Sequence, residues 1–214
     1  RSPLDSAELA GVSHWRIVPE MADRAVRGLF NVPAPPLPKA ARDTIVLRVL
    51  ATGDLHGRFL PGAAALAAAF DSLGADCDCP QLRLDAGDAM QGTPVQDETR
   101  GRAGMELLAR LGYAAVALGD HDFDWSPEAL RQRVTESSYP WLAANVVDSA
   151  TGRRPEWMVP YRILDVAGMP VAVIGYITSD TKPTLPGDRT RGLRFNEGEL
   201  ALHDVLAEVA ARKP

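Results

Sequence analysis

Histidine and carboxylate side chains recur in three short, glycine-flanked runs. These are Thr52-Gly-Asp54-Leu-His56-Gly-Arg58, Asp85-Ala-Gly-Asp88-Ala-Met-Gln-Gly92 and Gly119-Asp120-His121-Asp122-Phe-Asp124. Carboxylates gathered at one place repel each other unless cations sit among them. Divalent metal ions meet that need, and a mixed His and Asp set suits borderline ions such as Mn, Fe, Co, Ni or Zn. Each run taken alone has a plainer reading. Asp-x-His is a turn whose Asp caps the next helix, Gly-Asp an ordinary turn, and Gly-Asp-His-Asp a solvated acidic loop. What favours chemistry is that all three occupy the same position relative to the elements around them.

Those elements alternate. Ile45–Ala51, Gln81–Asp85, Ala114–Leu118 and Trp141–Val146 read as strands from their apolar, branched composition. Between them, Ala63–Leu73 reads as an Ala-rich helix closed by Gly74, Ala103–Leu111 as a helix followed by Gly112, and Pro127–Glu136 as a helix with Ser126 as N-cap. Strand–helix alternation at this spacing predicts an α/β fold with a mostly parallel sheet. Parallel strands deliver their C-terminal ends to one edge, where ligands bind. The three runs follow the first three strands, so they converge on that rim. Farther on, Tyr161–Ala167 and Val171–Ile177 flank Gly168-Met-Pro as a hairpin, and Glu197–Arg212 reads as a last amphipathic helix.

Residues 1–44 differ from the rest. An amphipathic stretch interrupted by Pro19 leads into Asn31-Val-Pro-Ala-Pro-Pro-Leu-Pro38, a stiff extended linker. We read 1–44 as an N-terminal extension and 45–214 as one catalytic-type domain. The 214 residues, 46% hydrophobic and 24% charged, form an ordinary globular composition able to bury a core, which excludes a disordered tail, a fibre and a disulfide scaffold. The net charge of −5 gives no general pull toward nucleic acid, and no apolar run reaches membrane-spanning length. Cys77 and Cys79 lack partners for a zinc site, and a bridge between residues two apart is strained, so they read as loop thiols.

Asp-Leu-His-Gly at 54–57, Gly-Asp-Ala-Met-Gln-Gly at 87–92 and Gly-Asp-His-Asp-Phe-Asp at 119–124 resemble the calcineurin-like metallophosphoesterases. The Gln91-Gly92 and Phe123-Asp124 tails resemble the 5′-nucleotidase branch, as do Ala144-Asn-Val146, Ile174-Gly-Tyr-Ile-Thr178 and Gly192-Leu-Arg-Phe195. The resemblance runs from Leu47 to about Arg212. It implies a metallophosphoesterase αββα sandwich, of which this chain corresponds to the first half. It implies that Asp54 and His56 bind a first metal, that Asp88 bridges two, and that Asp120 binds the second. His121 and Asp124 would be the catalytic dyad and Arg58 a phosphate contact. Two divalent ions, of unassigned identity among Mn, Zn, Fe, Co and Ni, would activate a hydroxide for attack on a nucleotide or similar small phosphate ester.

Two departures from the family stand out. Asp120 occupies a position usually held by Asn, which exchanges a neutral ligand and an N–H donor for a charge without a donor. The family's later metal-binding histidines have no counterpart here. His14 precedes the domain, and His203 sits in Leu-His-Asp on the last helix as a solvated residue. These departures imply weak metal binding and poor turnover by this chain alone. Two other readings stand beside the enzyme: a binding or scaffold module that has lost catalysis, and a half-domain completed by another chain at an exposed sheet edge. The resemblance favours a periplasmic or extracellular location, with no leader visible in these residues.

Overall fold

The computed structural model describes residues 45–58, 61–75, 77–179 and 188–212. The extension and proline-rich linker read over 1–44, His14 included, lie outside these residues. In chain order the elements are β1 (Arg48–Thr52), α1 (Ala63–Ala75), β2 (Gln81–Asp85), α2 (Pro94–Thr99), α3 (Arg102–Arg110), β3 (Ala115–Ala117), a single 3₁₀ turn (His121–Phe123), α4 (Pro127–Glu136), β4 (Trp141–Leu142), β5 (Val146–Asp148), β6 (Tyr161–Val166), β7 (Met169–Ile174), β8 (Leu193–Phe195) and α5 (Gly198–Ala211).

β1 to β4 form a parallel four-stranded sheet in the order β1-β2-β3-β4, so each strand is followed by its sheet neighbour. Helical segments make the crossovers, as parallel neighbours require. The sheet's apolar side packs with the helices around Phe70, Leu108, Leu118, Phe123, Leu130 and Trp141. β1 is one-sided rather than fully buried: Leu50 faces the core while Val49 is 49% exposed. The alternation puts Val49 on the opposite face from Leu50, and Ile45, before the strand, is also exposed.

Three local expectations are corrected. Trp141–Val146 is not one strand. After Leu142 the chain leaves the parallel sheet, Ala143 N–H donating to Val159 O and Ala144 N–H to Gly175 O. It pairs again only at Val146, antiparallel to β8. The buried Asn145 pins this excursion by bonding Ile177 and Asn196. Gly74 does not close α1 but lies within it, its carbonyl accepting from the Gln81 side chain. Cys77 and Cys79 are not free loop thiols: they are disulfide-bonded, and their Cα atoms, 5.2 Å apart, lie within bridging range.

The β6–β7 hairpin forms around Ala167-Gly168 as expected. On α4, Ser126 Oγ accepts from Ala129 N–H, with Pro127 at the first helical position. On α5, Ala201 and Val205 are buried and His203 is exposed, as its sequence context suggested.

Candidate metal centre

The loops after β1 and β2 continue the strand pairing into the site. Asp54 N–H donates to Gly87 O, His56 N–H to Asp88 O and Gly57 N–H to Ala89 O. This main-chain zipper holds the first two runs in register. Three residues of the zipper, Asp54, His56 and Asp88, have φ of 57°, 46° and 56°. Left-handed backbone costs a side-chain-bearing residue about 1–2 kcal/mol, and such strain concentrates at functional sites. Here it turns three ligand-type side chains toward one another. Their candidate ligand atoms all lie within 4.8 Å of one another. Two carboxylates and an imidazole converging so closely fit a divalent cation in both charge and donor type.

Orientation is fixed from behind. Gln91 Oε1 lies 3.1 Å from His56 Nδ1, and His56 Nε2 lies 2.9 Å from Asp54 Oδ1. The ring so held turns Nε2 toward Asp54 and gives Nδ1 the kind of outer partner that metal-binding histidines have. Glycine makes the approach possible: at Gly92, with φ 118°, a Cβ would meet His56 O at 2.6 Å.

The third run enters from β3. His121 N–H donates to Asp88 Oδ1 at 2.9 Å, and the His56 and His121 rings meet edge-on at 4.9 Å. Asp120 lies close enough to Asp88 to perturb it. Burial raises the Asp88 carboxyl above the usual range and the Asp120 charge adds to this, while the His121 N–H bond opposes it. His121 Nδ1 donates to Asp124 Oδ2 at 3.0 Å. That bond is the main cause of a raised imidazole pKa, with burial opposing and the Asp124, Asp120 and Asp88 charges assisting. Arg58 is exposed two residues beyond His56, its N–H bonded to Leu55 O.

The structure therefore brings together Asp54, His56, Asp88, Asp120, His121 and Asp124, and leaves Arg58 exposed, outside this set of contacts. It also shows residues that motif reasoning passed over. Asp122, between the two assigned members of its run, is 1% exposed and accepts from Gly119, Asp88 and Met90 N–H groups. Burial pushes its carboxyl up to about 7, against the pull of the Gly119 and Met90 N–H bonds. Asp85, also buried, accepts from Thr52 Oγ1 and Gly87 N–H, and its carboxyl is raised by burial. The Tyr113 hydroxyl lies 2.6 Å from Thr52 Oγ1, and burial pushes it up to about 12. The only sequence signal for Asp122 and Asp85 was their acidity within runs already marked, and Tyr113 lies outside those runs.

Comparison with known proteins agrees with this geometry. Residues 47–210 match the model of the calcineurin-like phosphoesterases. The chain is 34% identical over 182 residues to a 5′-nucleotidase of Vibrio cholerae, covering 81% of this chain and 32% of that protein. It is 35% identical over 179 residues to a 5′-nucleotidase of Vibrio vulnificus, with 79% and 32% coverage. The crystal structure of a 5′-nucleotidase precursor from Thermus thermophilus superposes with a TM-score of 0.69 at 29% identity, covering 78% of this chain and 35% of that one. The chain thus spans about a third of the length of these relatives. A family match over most of the chain, on a fold that gathers the same three runs, makes this chain a member of the calcineurin-like phosphoesterase family.

Proposed function

We propose that this chain is the cation-binding part of a phosphoester hydrolase of the 5′-nucleotidase type. The substrate class is a nucleoside monophosphate or a similar small phosphate ester. The observation that supports this most directly is the convergence of the Asp54, His56 and Asp88 ligand atoms within 4.8 Å. In this reading Asp54, His56 and Asp88 would hold a divalent cation, and Asp88 with Asp120 would help hold a second. When bound, such cations act as Lewis acids toward a phosphate and lower the pKa of water.

The chain's own residues do the rest. Gln91 Oε1 offers an acceptor to His56 Nδ1, leaving Nε2 as the ring atom that would face the cation. Asp124 raises the His121 pKa and so favours the imidazolium, whose outer nitrogen can donate to charge developing on a phosphate or leaving oxygen. His121 is 41% exposed, so a substrate can reach it. The exposed Arg58 supplies a fixed positive charge within an acidic protein. Asp120 adds negative charge facing the phosphate and lowers turnover relative to an Asn at this position.

An exported location belongs to the same proposal. The Thermus thermophilus relative is described as a precursor, and a Cys77–Cys79 bond persists in an oxidising compartment.

The test is hydrolysis of nucleoside monophosphates by the full-length protein, with Mn²⁺ or Zn²⁺ and after chelation. The expected result is cation-dependent release of phosphate that His56→Ala and Asp88→Ala abolish. Release that survives both substitutions would refute the reading.

A further inference from the structure

We infer that Asp122 is a positioning residue, whose carboxylate locks the loops after β2 and β3 together and so aims Asp88 at the cation. The inference rests on the proposed function and deepens it.

The observation is a reciprocal clamp. Asp122 Oδ2 accepts from Asp88 N–H at 3.2 Å and from Gly119 N–H at 2.9 Å, and Oδ1 accepts from Met90 N–H at 3.3 Å. In return, Asp88 Oδ1 accepts from His121 N–H at 2.9 Å. Each loop's carboxylate thus holds main-chain amides of the other, across more than thirty residues of sequence.

Two features point past simple turn stabilisation. First, all the amides that Asp122 gathers flank ligand-type residues: Asp88's own, Met90 just beyond it, and Gly119 just before Asp120. The Asp88 N–H held by Asp122 fixes the peptide plane before Asp88, the His56 N–H on Asp88 O fixes the plane after it, and the Met90 N–H held by Asp122 anchors the next peptide. That is what a residue at φ 56° needs in order to stay there. Second, the donors described for Asp122 are all main-chain amides, and the side chain is 1% exposed. Burying a carboxylate without a cationic partner is expensive, and a smaller neutral residue would fill the turn at lower cost. Two acceptor oxygens serving three donors are what a neutral residue lacks. Asn would bring one oxygen and turn an NH₂ against an N–H.

The test is Mn²⁺ binding to the full-length protein by calorimetry, comparing wild type with Asp122→Asn and with Val205→Ala. Val205 is buried on α5 and serves as a control for lost stability alone. Asp122→Asn should weaken Mn²⁺ binding on the order of 10-fold to 100-fold, the usual effect of losing a partner behind a ligand. Val205→Ala should lower Tm and leave the affinity within about twofold. Wild-type binding with an unchanged Asp122→Asn affinity would overturn the positioning role and leave the proposed function standing. Absence of wild-type binding would overturn both. Should Asp122→Asn fail to fold, hydrogen exchange in the wild type decides: the Asp88, Met90 and Gly119 amides are slow if the clamp exists, and fast exchange there refutes it.

Discussion

At the scale of single residues, chemistry depends on how neighbours set protonation. His121 is held above its ordinary pKa chiefly by the hydrogen bond to Asp124. If turnover needs the imidazolium, it falls as pH rises through that raised value. Asp124→Asn removes the support, so the alkaline limb of the kcat/KM profile moves to lower pH. An unmoved limb would separate the pair. Replacing His121 by Ala should cost about 10²–10⁴-fold in kcat, the usual worth of a positioned proton donor. Asp120 makes the opposite test. A hydrogen bond to a charged group is worth about 1.5–3 kcal/mol, so restoring an amide donor with Asp120→Asn should raise phosphate-ester turnover about tenfold. No gain would mean that the Asp is not what limits the enzyme. The three runs made most of these residues visible in the sequence, because glycine-flanked Asp and His mark turns that ligands can use. Asp122 and Gln91 were not visible as supports. Their roles depend on which amides and ring nitrogens another loop brings to them, and spacing does not encode that.

At the scale of elements, the site depends on loops kept in register by the strands beneath them. Gly119 shows the tolerance: a Cβ there would collide with the Asp88 carboxylate. Gly119→Ala should therefore weaken Mn²⁺ binding on the order of 10-fold while leaving the helices intact, read by calorimetry beside circular dichroism. Phe123 anchors the same loop from below. It is fully buried and packs edge-on to Phe195 with centroids 5.6 Å apart. Phe123→Ala should cost about 3–5 kcal/mol of stability in a denaturant titration. The sequence was most legible where local signals agreed. α4 matches its reading over Pro127–Glu136, cap included, and β2 matches over Gln81–Asp85. It was least legible where partners are remote. The run from Trp141 to Val147 is buried throughout, so no period-2 pattern marks the break at Ala143. β8 has three residues and forms only because β5 offers an edge. Gly74 shows the limit of composition: a glycine after an apolar helix read as a stop, yet α1 runs through it to Ala75.

For the molecule as a whole, burial of Asp85, Asp88 and Asp122 in one region sets a pH dependence. All three carboxyls are raised in the folded state, Asp122 to about 7. Between about pH 4, where an unfolded Asp ionises, and pH 7, the folded chain binds more protons than the unfolded one. Stability of the chelated protein therefore falls as pH rises through this window. Glu128 and Asp148 are shifted the other way but are solvent-exposed, so they contribute little. Calorimetry in chelator should show a higher Tm at pH 5 than at pH 7.5, and Mn²⁺ should remove most of the difference. A Tm that rises steadily with pH in chelator would contradict this. The parallel sheet and three convergent loops were legible because strand–helix alternation dictates them. The Cys77–Cys79 bond was not, because ring strain argues against it until the local backbone is known.

The central claim is that Asp54, His56 and Asp88 together hold a divalent cation. Anomalous diffraction from crystals of the full-length protein grown with Mn²⁺ tests it most directly. An anomalous peak within bonding distance of a donor atom of each of the three residues is expected. A peak elsewhere, or none at these side chains, would contradict it.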